Sequence, residues 1–295
     1  MRRTLANATD AIEGVGLFTA APSRVRFAPH NQGTPGIAIA INGREPFSAT
    51  LDSLHTQPLH PAFAQMPARS TNLASTTGVA ATVEHAMAAL AGLGVTDAVI
   101  EIDCEAPAAE LPIMDGSAGD FARAILAAGT TEIDGTCEPI APDSVIEVSD
   151  GPASIRLEPA DTFSCVYELD YSGTGAIPPI GAQRAEWSGD PDQFATEIAP
   201  ARTFSLAPEA QAMQAVGLCT HLTPREMLVL QPATADTPAA PIDNELRFAD
   251  EPARHKLLDL IGDLALAGAP IRGRVIAHRS GHATTHAFVR ALLAR

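Results

Sequence analysis

Two side chains four residues apart, His255 and Asp259, could together hold a metal ion. At that spacing they share one face of a helix, and Asp263 lies on the same face one turn further on. The apolar residues around them indicate that this helix is largely buried, and buried imidazole and carboxylate groups need partners. A bound metal or a hydrogen-bonded cluster would provide such partners. An ordinary surface pair is the alternative interpretation of the same spacing.

The pair Glu84-His85 in the first half of the chain offers a third ligand and a base. Catalytic zinc is typically held by three protein ligands, which leave one position open for water. His85, His255 and Asp259 would complete that set, and Glu84 would be the general base that removes a proton from the water. Alternatively, Glu84 only stabilises a helix N-terminus through the helix dipole.

Two further residues could take part in proton transfer and in hydrogen bonding to the substrate. His282 could be a general acid, with Asp263 fixing its tautomer and raising its pKa, although a simple loop histidine is the alternative. Thr203 offers a hydroxyl donor, but an isolated threonine is not a specific signal. We predict that His278 and His286 take no part in catalysis.

The basic residues are unevenly distributed along the chain. Of the 19 basic residues the only lysine is Lys256, which directly follows His255. Residues 264–295 contain five arginines and no carboxylate, so this stretch carries +5 and the preceding 263 residues carry −21. A local positive field can hold an anionic substrate. Lys256 is therefore a candidate for a substrate contact, and a chance distribution is the alternative.

The composition excludes several classes of function. The 295 residues carry a formal charge of −16, which argues against a general nucleic-acid binder because such proteins need a basic surface. No apolar run is long enough for a transmembrane helix, and the N-terminus lacks the pattern of a signal peptide. The four cysteines form no CxxC motif and fit free thiols in a reducing compartment. We therefore expect a cytoplasmic protein.

The order of predicted elements indicates an α+β fold in two domains. Short alternating strands open each half, and helices are predicted at about 82–93, with Thr82 as a cap, and at 252–267. Residues 129–143 have the composition of a linker, which places an N-terminal domain at 1–128 and a C-terminal domain at 144–295. His, Leu and Gly recur at the same spacing in residues 85–92 and 255–262. We infer two related α+β layers that face each other, each with a histidine at a helix start.

Four blocks of the chain carry motifs of a known enzyme family. They are residues 82–94 (TVEHAMAALAGLG), 111–119 (LPIMDGSAG), 201–204 (ARTF) and 246–264 (LRFADEPARHKLLDLIGDL), the last continued by 280–282 (SGH). Residues 14–17 (GVGL) also fit. In their order and spacing these blocks resemble the UDP-3-O-acyl-N-acetylglucosamine deacetylases, the zinc amidases of lipid A biosynthesis. The second and fourth blocks are the most specific.

This resemblance implies a fold, a metal and a set of site residues. The fold would be two related βααβ-type sandwich domains packed against each other, with the active site between them. His85, His255 and Asp259 would bind zinc, and iron(II) is an alternative ion because such ligands do not discriminate sharply. The other implied roles are Glu84 as base, Thr203 as a donor to the oxyanion, His282 held by Asp263 as acid, and Lys256, Tyr171 and Phe204 as substrate contacts.

The chain departs from the family's usual residues at four places around the expected substrate. Phe18 stands where the family has His, and residues 172–175 (SGTG) replace the usual His-Pro. Residues 219–222 (CTHL) replace Gly-Gly-Ser, and residues 283–286 (ATTH) replace Leu-Asn-Asn. All expected catalytic positions are retained, so the resemblance implies the chemistry more firmly than the exact substrate or acyl length.

Three functions follow from these patterns. The first is zinc-dependent hydrolysis of the acetamide of UDP-3-O-acyl-N-acetylglucosamine, which releases acetate. The second is the same chemistry on another N-acetylated acyl-sugar, and the third is a non-catalytic homologue that binds a nucleotide-sugar or a protein. The retained acid, base and ligand residues argue against the third. The expected partner is an acylated UDP-sugar, without nucleic acid and with at most transient contact with a membrane surface.

Overall fold

Each half of the chain forms a five-stranded sheet whose buried face is supplied by alternating residues. In the strand Pro22–Pro29 the side chains of Ser23, Val25 and Phe27 are buried, while Arg24 and Arg26 between them are exposed. This period of two is the burial pattern of a strand with one face on the core. The structure is a computed structural model that describes residues 1–30, 35–64, 66 and 68–295.

The N-terminal half contains two helices, α1 and α2, and the first part of the strand sequence. Short 3-10 turns lie at Leu51–Ser53 and Pro61–Phe63. The described elements are β1 (Arg2–Leu5), β2 (Ile12–Val15), β3 (Pro22–Pro29), β4 (Ile37–Ile41), β5 (Phe47–Ser48), β6 (Leu73–Ser75), β7 (Gly78–Ala81), α1 (Glu84–Gly92), β8 (Ala98–Asp103), β9 (Ala108–Glu110), α2 (Gly119–Ala128) and β10 (Thr130–Ile133).

The C-terminal half adds a second set of strands and the helices α3 to α6. The short helix α3 continues into a π-helical turn at Phe194–Ile198, and α5 continues into a 3-10 turn at Ala265–Ala267. The elements are β11 (Ile146–Asp150), β12 (Ala153–Glu158), β13 (Ser164–Leu169), β14 (Gln183–Trp187), α3 (Pro191–Gln193), β15 (Phe204–Leu206), α4 (Ala207–Ala215), β16 (Leu228–Gln231), β17 (Ala240–Pro241), α5 (Glu251–Leu264), β18 (Arg274–His278) and α6 (His282–Leu293).

The two five-stranded sheets have the same connectivity. Their strand orders are β2-β3-β8-β4-β5 and β11-β12-β18-β13-β14. In each sheet one pair is parallel, β4 with β8 and β13 with β18, and the other neighbours are antiparallel. The helices with the repeated His, Leu and Gly pattern, α1 and α5, each precede the last strand of their sheet. The sequence repeat therefore corresponds to a repeated arrangement, and the α+β class is confirmed.

Helices α1 and α5 cross in direct contact at Gly262. A Cβ atom at this position would lie 2.1 Å from the carbonyl oxygen of Glu84 and 3.2 Å from the backbone nitrogen of Ala88. Only glycine permits such a close approach of two helix backbones. Because Glu84 is the first residue of α1 and Gly262 is near the end of α5, the crossing brings the start of α1 against the C-terminal part of α5. The metal-binding residues predicted on the two helices therefore meet at this crossing.

A smaller apolar cluster lies apart from the main core. Its buried members are Leu17, Phe63, Ile113, Leu218, Cys219 and Leu222. Phe18 packs edge to face against Phe63, with ring centroids 5.0 Å apart. Two of the four departures from the family pattern, Phe18 and residues 219–222, are thus joined through one apolar contact region.

Thr82 does not cap α1, contrary to the prediction. Val83 occupies the N-cap position, and no side chain caps the helix there. Thr82 instead adopts the left-handed conformation, with φ of 55°, and its hydroxyl donates to Oε1 of Glu110 at 2.9 Å. The hydroxyl of Thr82 is therefore hydrogen-bonded to the buried carboxylate of Glu110 and does not cap the helix.

The stretch 129–143, predicted as a linker, contains the strand β10. This strand pairs antiparallel with β1, so that Thr4 lies opposite Thr131. The domain boundaries drawn on either side of this stretch stay a prediction. Among the described residues, none of the helices has the length and apolar character needed to cross a membrane.

Candidate active site

The side chains of His85, His255 and Asp259 form a buried cluster at the crossing of α1 and α5. Their exposed fractions are 5%, 2% and 6%. One ligand atom from each residue lies within 4.8 Å of the other two. Oδ1 of Asp259 is 3.5 Å from Nε2 of His85 and 3.4 Å from Nε2 of His255. The structure therefore brings together the three residues that were predicted as metal ligands.

The distances inside this cluster fit a metal site. Both nitrogen–oxygen distances exceed the range of about 2.7–3.2 Å that is typical of N–H···O hydrogen bonds. Zinc bonds of about 2.0–2.1 Å would separate two tetrahedral ligand atoms by about 3.4 Å. Burial lowers the pKa of His255 to about 4, so its imidazole is neutral near pH 7 and has a free lone pair. Two imidazoles and a carboxylate form a donor set that suits zinc and also iron(II).

Hydrogen bonds from outside the cluster orient two of these ligands. Nδ1 of His255 donates to the carbonyl oxygen of Ala201 at 3.1 Å, which leaves Nε2 as the acceptor. Nζ of Lys256 donates to Oδ2 of Asp259 at 2.8 Å, so Oδ1 is the oxygen that faces the histidines. Burial raises the pKa of Asp259, but His255 and Lys256 lower it by more, to well below its ordinary range.

Glu84 is buried at the start of α1, next to His85. Its Oε2 accepts the backbone N–H of Thr71 at 2.9 Å, and its Oε1 lies 4.0 Å from Nε2 of His282. Burial raises the pKa of Glu84 above its ordinary value, although His282 and His85 oppose this shift. A carboxylate with a raised pKa is a stronger base, as general base catalysis near neutral pH requires.

His282 and Asp263 form a buried pair beside the three candidate metal ligands. Nδ1 of His282 donates to Oδ2 of Asp263 at 2.7 Å, so that Nε2 points toward Glu84. Burial would lower the pKa of His282, but the nearby carboxylates, chiefly Asp263, outweigh it and raise the pKa to about 9. The side chain is therefore the doubly protonated imidazolium at neutral pH. This is the protonation state of a general acid.

Thr71 contacts Glu84 and also Asp263, the partner of His282, and no sequence pattern points to it. Its backbone N–H donates to Glu84, and its hydroxyl donates to Oδ1 of Asp263. Nε2 of His286 lies 2.9 Å from the Thr71 hydroxyl and 3.7 Å from Oδ1 of Asp263. The spacing of four residues between His282 and His286 on α6 is the one signal that could have placed His286 here. Its exclusion from catalysis stays a prediction.

Thr203 and Phe204 lie at the start of β15 and are partly exposed. The backbone N–H of Thr203 donates to the carbonyl oxygen of Gly116 at 2.6 Å. A Cβ atom on Gly116 would lie 2.9 Å from Cγ2 of Thr203, so the LPIMDGSAG block must keep glycine here to hold the threonine. Thr203 is two residues after Ala201, whose carbonyl oxygen contacts His255.

Lys256 and Tyr171 lie within electrostatic range of each other. Burial raises the pKa of Tyr171, and the charge of Lys256 opposes this shift. Burial lowers the pKa of Lys256, but Asp259 and Tyr167 raise it by more, so the ammonium stays charged. The side chain of Lys256 is 20% exposed, and its ion pair with Asp259 is a contact that the sequence did not predict.

Three of the departing residues line one cavity beside the acid pair. The cavity has a volume of about 350 Å³, and Phe18, Ala283 and His286 are among its walls. Ser70 and Asn72, which flank Thr71, also line it. These three positions, expected to depart from the family pattern, thus lie around the cavity and outside the cluster of His85, His255 and Asp259.

Comparison with known proteins agrees with this geometry. The family model described as LpxC, UDP-3-O-acyl N-acetylglycosamine deacetylase, matches residues 2–294. The chain belongs to this deacetylase family. The resemblance seen in the sequence motifs is therefore confirmed. Deacetylases of this family are metal-dependent, and the cluster of His85, His255 and Asp259 is the candidate metal site.

Three relatives named UDP-3-O-acyl-N-acetylglucosamine deacetylase illustrate the similarity. The Anaeromyxobacter dehalogenans (strain 2CP-C) deacetylase is 38% identical over 225 residues, which is 76% of this chain and 69% of the relative. The Phenylobacterium zucineum (strain HLK1) deacetylase is 35% identical over 282 residues, 96% of this chain and 90% of the relative. The Myxococcus xanthus (strain DK1622) deacetylase is 32% identical over an alignment of 298 residues, gaps included, which covers 99% of this chain and 86% of the relative.

The two most specific sequence blocks of the deacetylase family position different residues of the site in this chain. Residues 246–264 include α5, which carries His255, Asp259 and Asp263. Residues 111–119 hold the backbone of Thr203 through Gly116. The arrangement as a whole can bind a metal, hold one carboxylate as a base and hold one imidazolium as an acid.

Proposed function

We propose that this protein removes the N-acetyl group from UDP-3-O-acyl-N-acetylglucosamine, releasing acetate and leaving a free amine, as a step of lipid A biosynthesis. The observation that carries the proposal is the buried cluster of His85, His255 and Asp259 with a carboxylate and an imidazolium beside it, in a chain of the deacetylase family. Oε1 of Glu84 and Nε2 of His282 are 4.0 Å apart, which suits two groups that act on one amide bond.

The proposed ligands of the metal are His85, His255 and Asp259, with zinc as the ion and iron(II) as the alternative. When bound, such an ion polarises a carbonyl group and lowers the pKa of water to near 7. His85 and His255 would contribute their Nε2 atoms and Asp259 its Oδ1 atom, because these atoms face one another in the cluster. The charge of Asp259, which Lys256 helps to maintain, favours a divalent cation at this buried place.

Glu84 is the proposed general base. The N–H of Thr71, 2.9 Å from Oε2, orients the carboxylate so that Oε1 is free to take a proton from the attacking water. The raised pKa of Glu84 supports this role, because it increases the basicity of the carboxylate.

His282 is the proposed general acid. Asp263 holds Nδ1 at 2.7 Å, and the proton on Nε2 passes to the amide nitrogen as the carbon–nitrogen bond breaks. Glu84 then holds the proton from the water and can return it to His282 through one water, because the 4.0 Å between them exceeds direct hydrogen-bond reach. Each turnover therefore consumes one water and yields acetic acid and the amine, with both groups restored, and the proton of the acid then passes to the amine or to solvent to leave acetate.

The remaining contacts are proposed from the family motifs. Thr203 donates its hydroxyl to the oxyanion, and Lys256 contacts the pyrophosphate, for which an ammonium ion is a suitable partner. Tyr171 and Phe204 offer aromatic and apolar surface to the rest of the substrate. We also propose a cytoplasmic location with transient contact at a membrane surface, which an acylated substrate would favour.

Mass-spectrometric detection of deacetylation on a panel of N-acetylated, acylated sugars tests this function. The panel contains acylated UDP-N-acetylglucosamine with several acyl lengths and a matching sugar without the nucleotide. Glu84→Gln is the control for catalysis, because it keeps the side-chain size but removes the base. It should retain the metal and lose about 10²–10⁴-fold in kcat.

Each outcome of this experiment decides between the candidate functions. Turnover of the UDP-sugars, lost in Glu84→Gln, supports the proposal. Turnover only of the sugar without the nucleotide would assign the same chemistry to another substrate. No turnover on any member of the panel by the zinc-loaded protein would leave binding without catalysis as the function.

A further inference from the structure

Arg202 and Glu251 form an ion pair that is almost completely removed from solvent. Arg202 is 4% exposed and Glu251 is 0% exposed. Nε of Arg202 lies 2.8 Å from Oε1 of Glu251, and a terminal guanidinium nitrogen lies 3.1 Å from Oε2, so the contact is bidentate. The desolvation cost of such a pair offsets much of its attraction. Overall stability is therefore a poor explanation for it.

The remaining polar atoms of this pair connect three segments of the chain. Further guanidinium donors of Arg202 reach Oδ1 of Asn244 at 2.9 Å and the carbonyl oxygen of Glu245 at 2.6 Å. Glu251 also accepts the backbone N–H groups of Arg202 at 3.1 Å and of Arg247 at 2.7 Å. The pair thus holds the segment around residue 202, the segment 244–247 and the first turn of α5 in one fixed arrangement.

This arrangement adjoins the candidate metal ligand His255 in two ways, through the chain next to Arg202 and through helix α5. Ala201 precedes Arg202, and its carbonyl oxygen accepts from Nδ1 of His255 at 3.1 Å. Glu251 precedes His255 by four residues, so both side chains lie on the same face of α5. The pair therefore joins the segment that carries the carbonyl to the helix that carries the imidazole. The hydrogen bond at one ring nitrogen decides which nitrogen of a histidine is free for a metal.

We propose that the Arg202–Glu251 ion pair positions the Ala201 carbonyl against His255, and thereby keeps Nε2 of His255 unprotonated and directed at His85 and Asp259. Arg202 and Glu251 are positioning residues, because they act through the Ala201 carbonyl and His255. The inference rests on the proposed role of His255 as a metal ligand. Its consequence is a His255 with one fixed tautomer before any metal binds.

Two variants and one control test this proposal. Glu251→Gln keeps the side-chain size but removes the charge, and Arg202→Lys keeps the charge but cannot form the bidentate contact. Asp250→Asn is the matched control, because it removes the partly exposed pair of Asp250 with Arg254, 2.7 Å apart, at the same end of α5. Circular dichroism and thermal unfolding establish that each metal-free variant is folded.

Two measurements on these proteins report on His255 directly. Zinc affinity is measured by competition with a chromophoric chelator, and it should fall about 10–100-fold in both variants but not in the control. The tautomer is read from imidazole nitrogen-15 chemical shifts in metal-free, histidine-labelled protein, with the signal assigned by comparison with His255→Ala. Wild type and Asp250→Asn should show His255 protonated at Nδ1, whereas Glu251→Gln and Arg202→Lys should show a mixture of tautomers.

The outcomes separate this inference from the proposed function. If wild-type His255 is protonated at Nε2, the proposal is wrong, and this measurement does not depend on the folding of Glu251→Gln or Arg202→Lys. An unchanged tautomer in both variants, with or without weaker zinc binding, would also overturn it and leave a general structural role for the pair. If His255→Ala binds zinc as tightly as wild type, the ligand assignment fails, while the tautomer measurement still decides the positioning role.

Discussion

The contact between His282 and Asp263 sets the pH range in which the proposed acid carries its proton. The pKa of His282 is raised to about 9, chiefly by Asp263, so the imidazolium predominates below that pH and is lost as the pH rises through it. We therefore expect kcat/KM to fall as the pH rises through about 9. The pH–rate profile of the zinc-loaded enzyme across the neutral and alkaline range measures this fall.

Asp263→Asn identifies the group responsible for this alkaline limb. Loss of the carboxylate removes the main cause of the raised pKa, so the fall should move to lower pH by about 1–3 units. His278→Ala is a control, because His278 lies partly exposed on β18 near Glu168 and Asp170. An Asp263→Asn profile identical to wild type would show that another group titrates.

Lys256 pairs with Asp259 in the part of the chain that the structure describes, and we propose a second partner in the substrate. Lys256→Ala removes the donor to Oδ2 of Asp259 and the charge offered to the pyrophosphate. We expect KM to rise more than kcat falls, because the substrate contact exists before and during the chemical step. Lys256→Arg should not fully restore KM, since the guanidinium differs from the compact ammonium in size and geometry.

Steady-state kinetics of these variants is compared with that of Arg156→Ala. Arg156 pairs with Glu158 on the sheet surface and should be neutral, so it controls for loss of one positive charge. Zinc content is measured in parallel, because Asp259 is also a proposed ligand. If KM is unchanged in Lys256→Ala, the lysine does not contact the substrate.

Short spacings in the sequence pointed to His255 with Asp259 and to Glu84 with His85. The full set, with the acid pair whose members are 19 residues apart, was predicted from the family motifs. His255, Asp259 and Asp263 follow one helix face. The side chains and carbonyl that hold them in place could not be predicted. Thr71 contacts Asp263 across 192 residues, and the Ala201 carbonyl contacts His255 across 54. Such contacts exist only once the tertiary fold has formed, and no local pattern records them.

At the level of the elements, the crossing of α1 and α5 decides whether the ligands meet. Gly262→Ala would place a Cβ atom 2.1 Å from the carbonyl oxygen of Glu84, so the two helices must move apart. We expect the free energy of unfolding to fall by about 1–3 kcal/mol, as for other overpacked sites. Zinc affinity should fall as well, because α1 carries His85 away from His255 and Asp259.

Thermal unfolding and chelator competition measure these two effects of Gly262→Ala. Gly181→Ala is the matched control, since a Cβ at Gly181 has nothing within 4 Å. Equal zinc affinity in Gly262→Ala and wild type would contradict the dependence of the site on this close approach.

The helices with strong apolar patterns could be predicted closely, and the differences have physical causes. The helix expected at 252–267 is Glu251–Leu264 followed by the 3-10 turn Ala265–Ala267. The one expected at 82–93 is Glu84–Gly92. The cap at Thr82 was wrong because Glu110, 28 residues away, accepts its hydroxyl. Likewise, the polar stretch after α2 forms β10 because β1, from the other end of that half, supplies its hydrogen-bond partners.

In the whole molecule, the proposed metal ligands come from both halves of the chain. His85 lies on α1 of the N-terminal half, and His255 and Asp259 lie on α5 of the C-terminal half. A metal held by all three would connect two sheets of the same topology across the helix crossing. The ion would then stabilise the packing of the two halves in addition to taking part in the reaction.

We expect removal of the metal by a chelator to lower the unfolding temperature of the wild-type protein. An ion that binds only the folded state stabilises it by about 4 kcal/mol at a concentration 1,000-fold above its Kd. His85→Ala leaves both remaining ligands on α5, so most of this metal-dependent stabilisation should disappear. His278→Ala removes a histidine from outside the cluster and should retain it. Calorimetry of the three proteins with zinc and with chelator measures the difference, and an equal rise with zinc in wild type and His85→Ala would show that the metal does not connect the two halves.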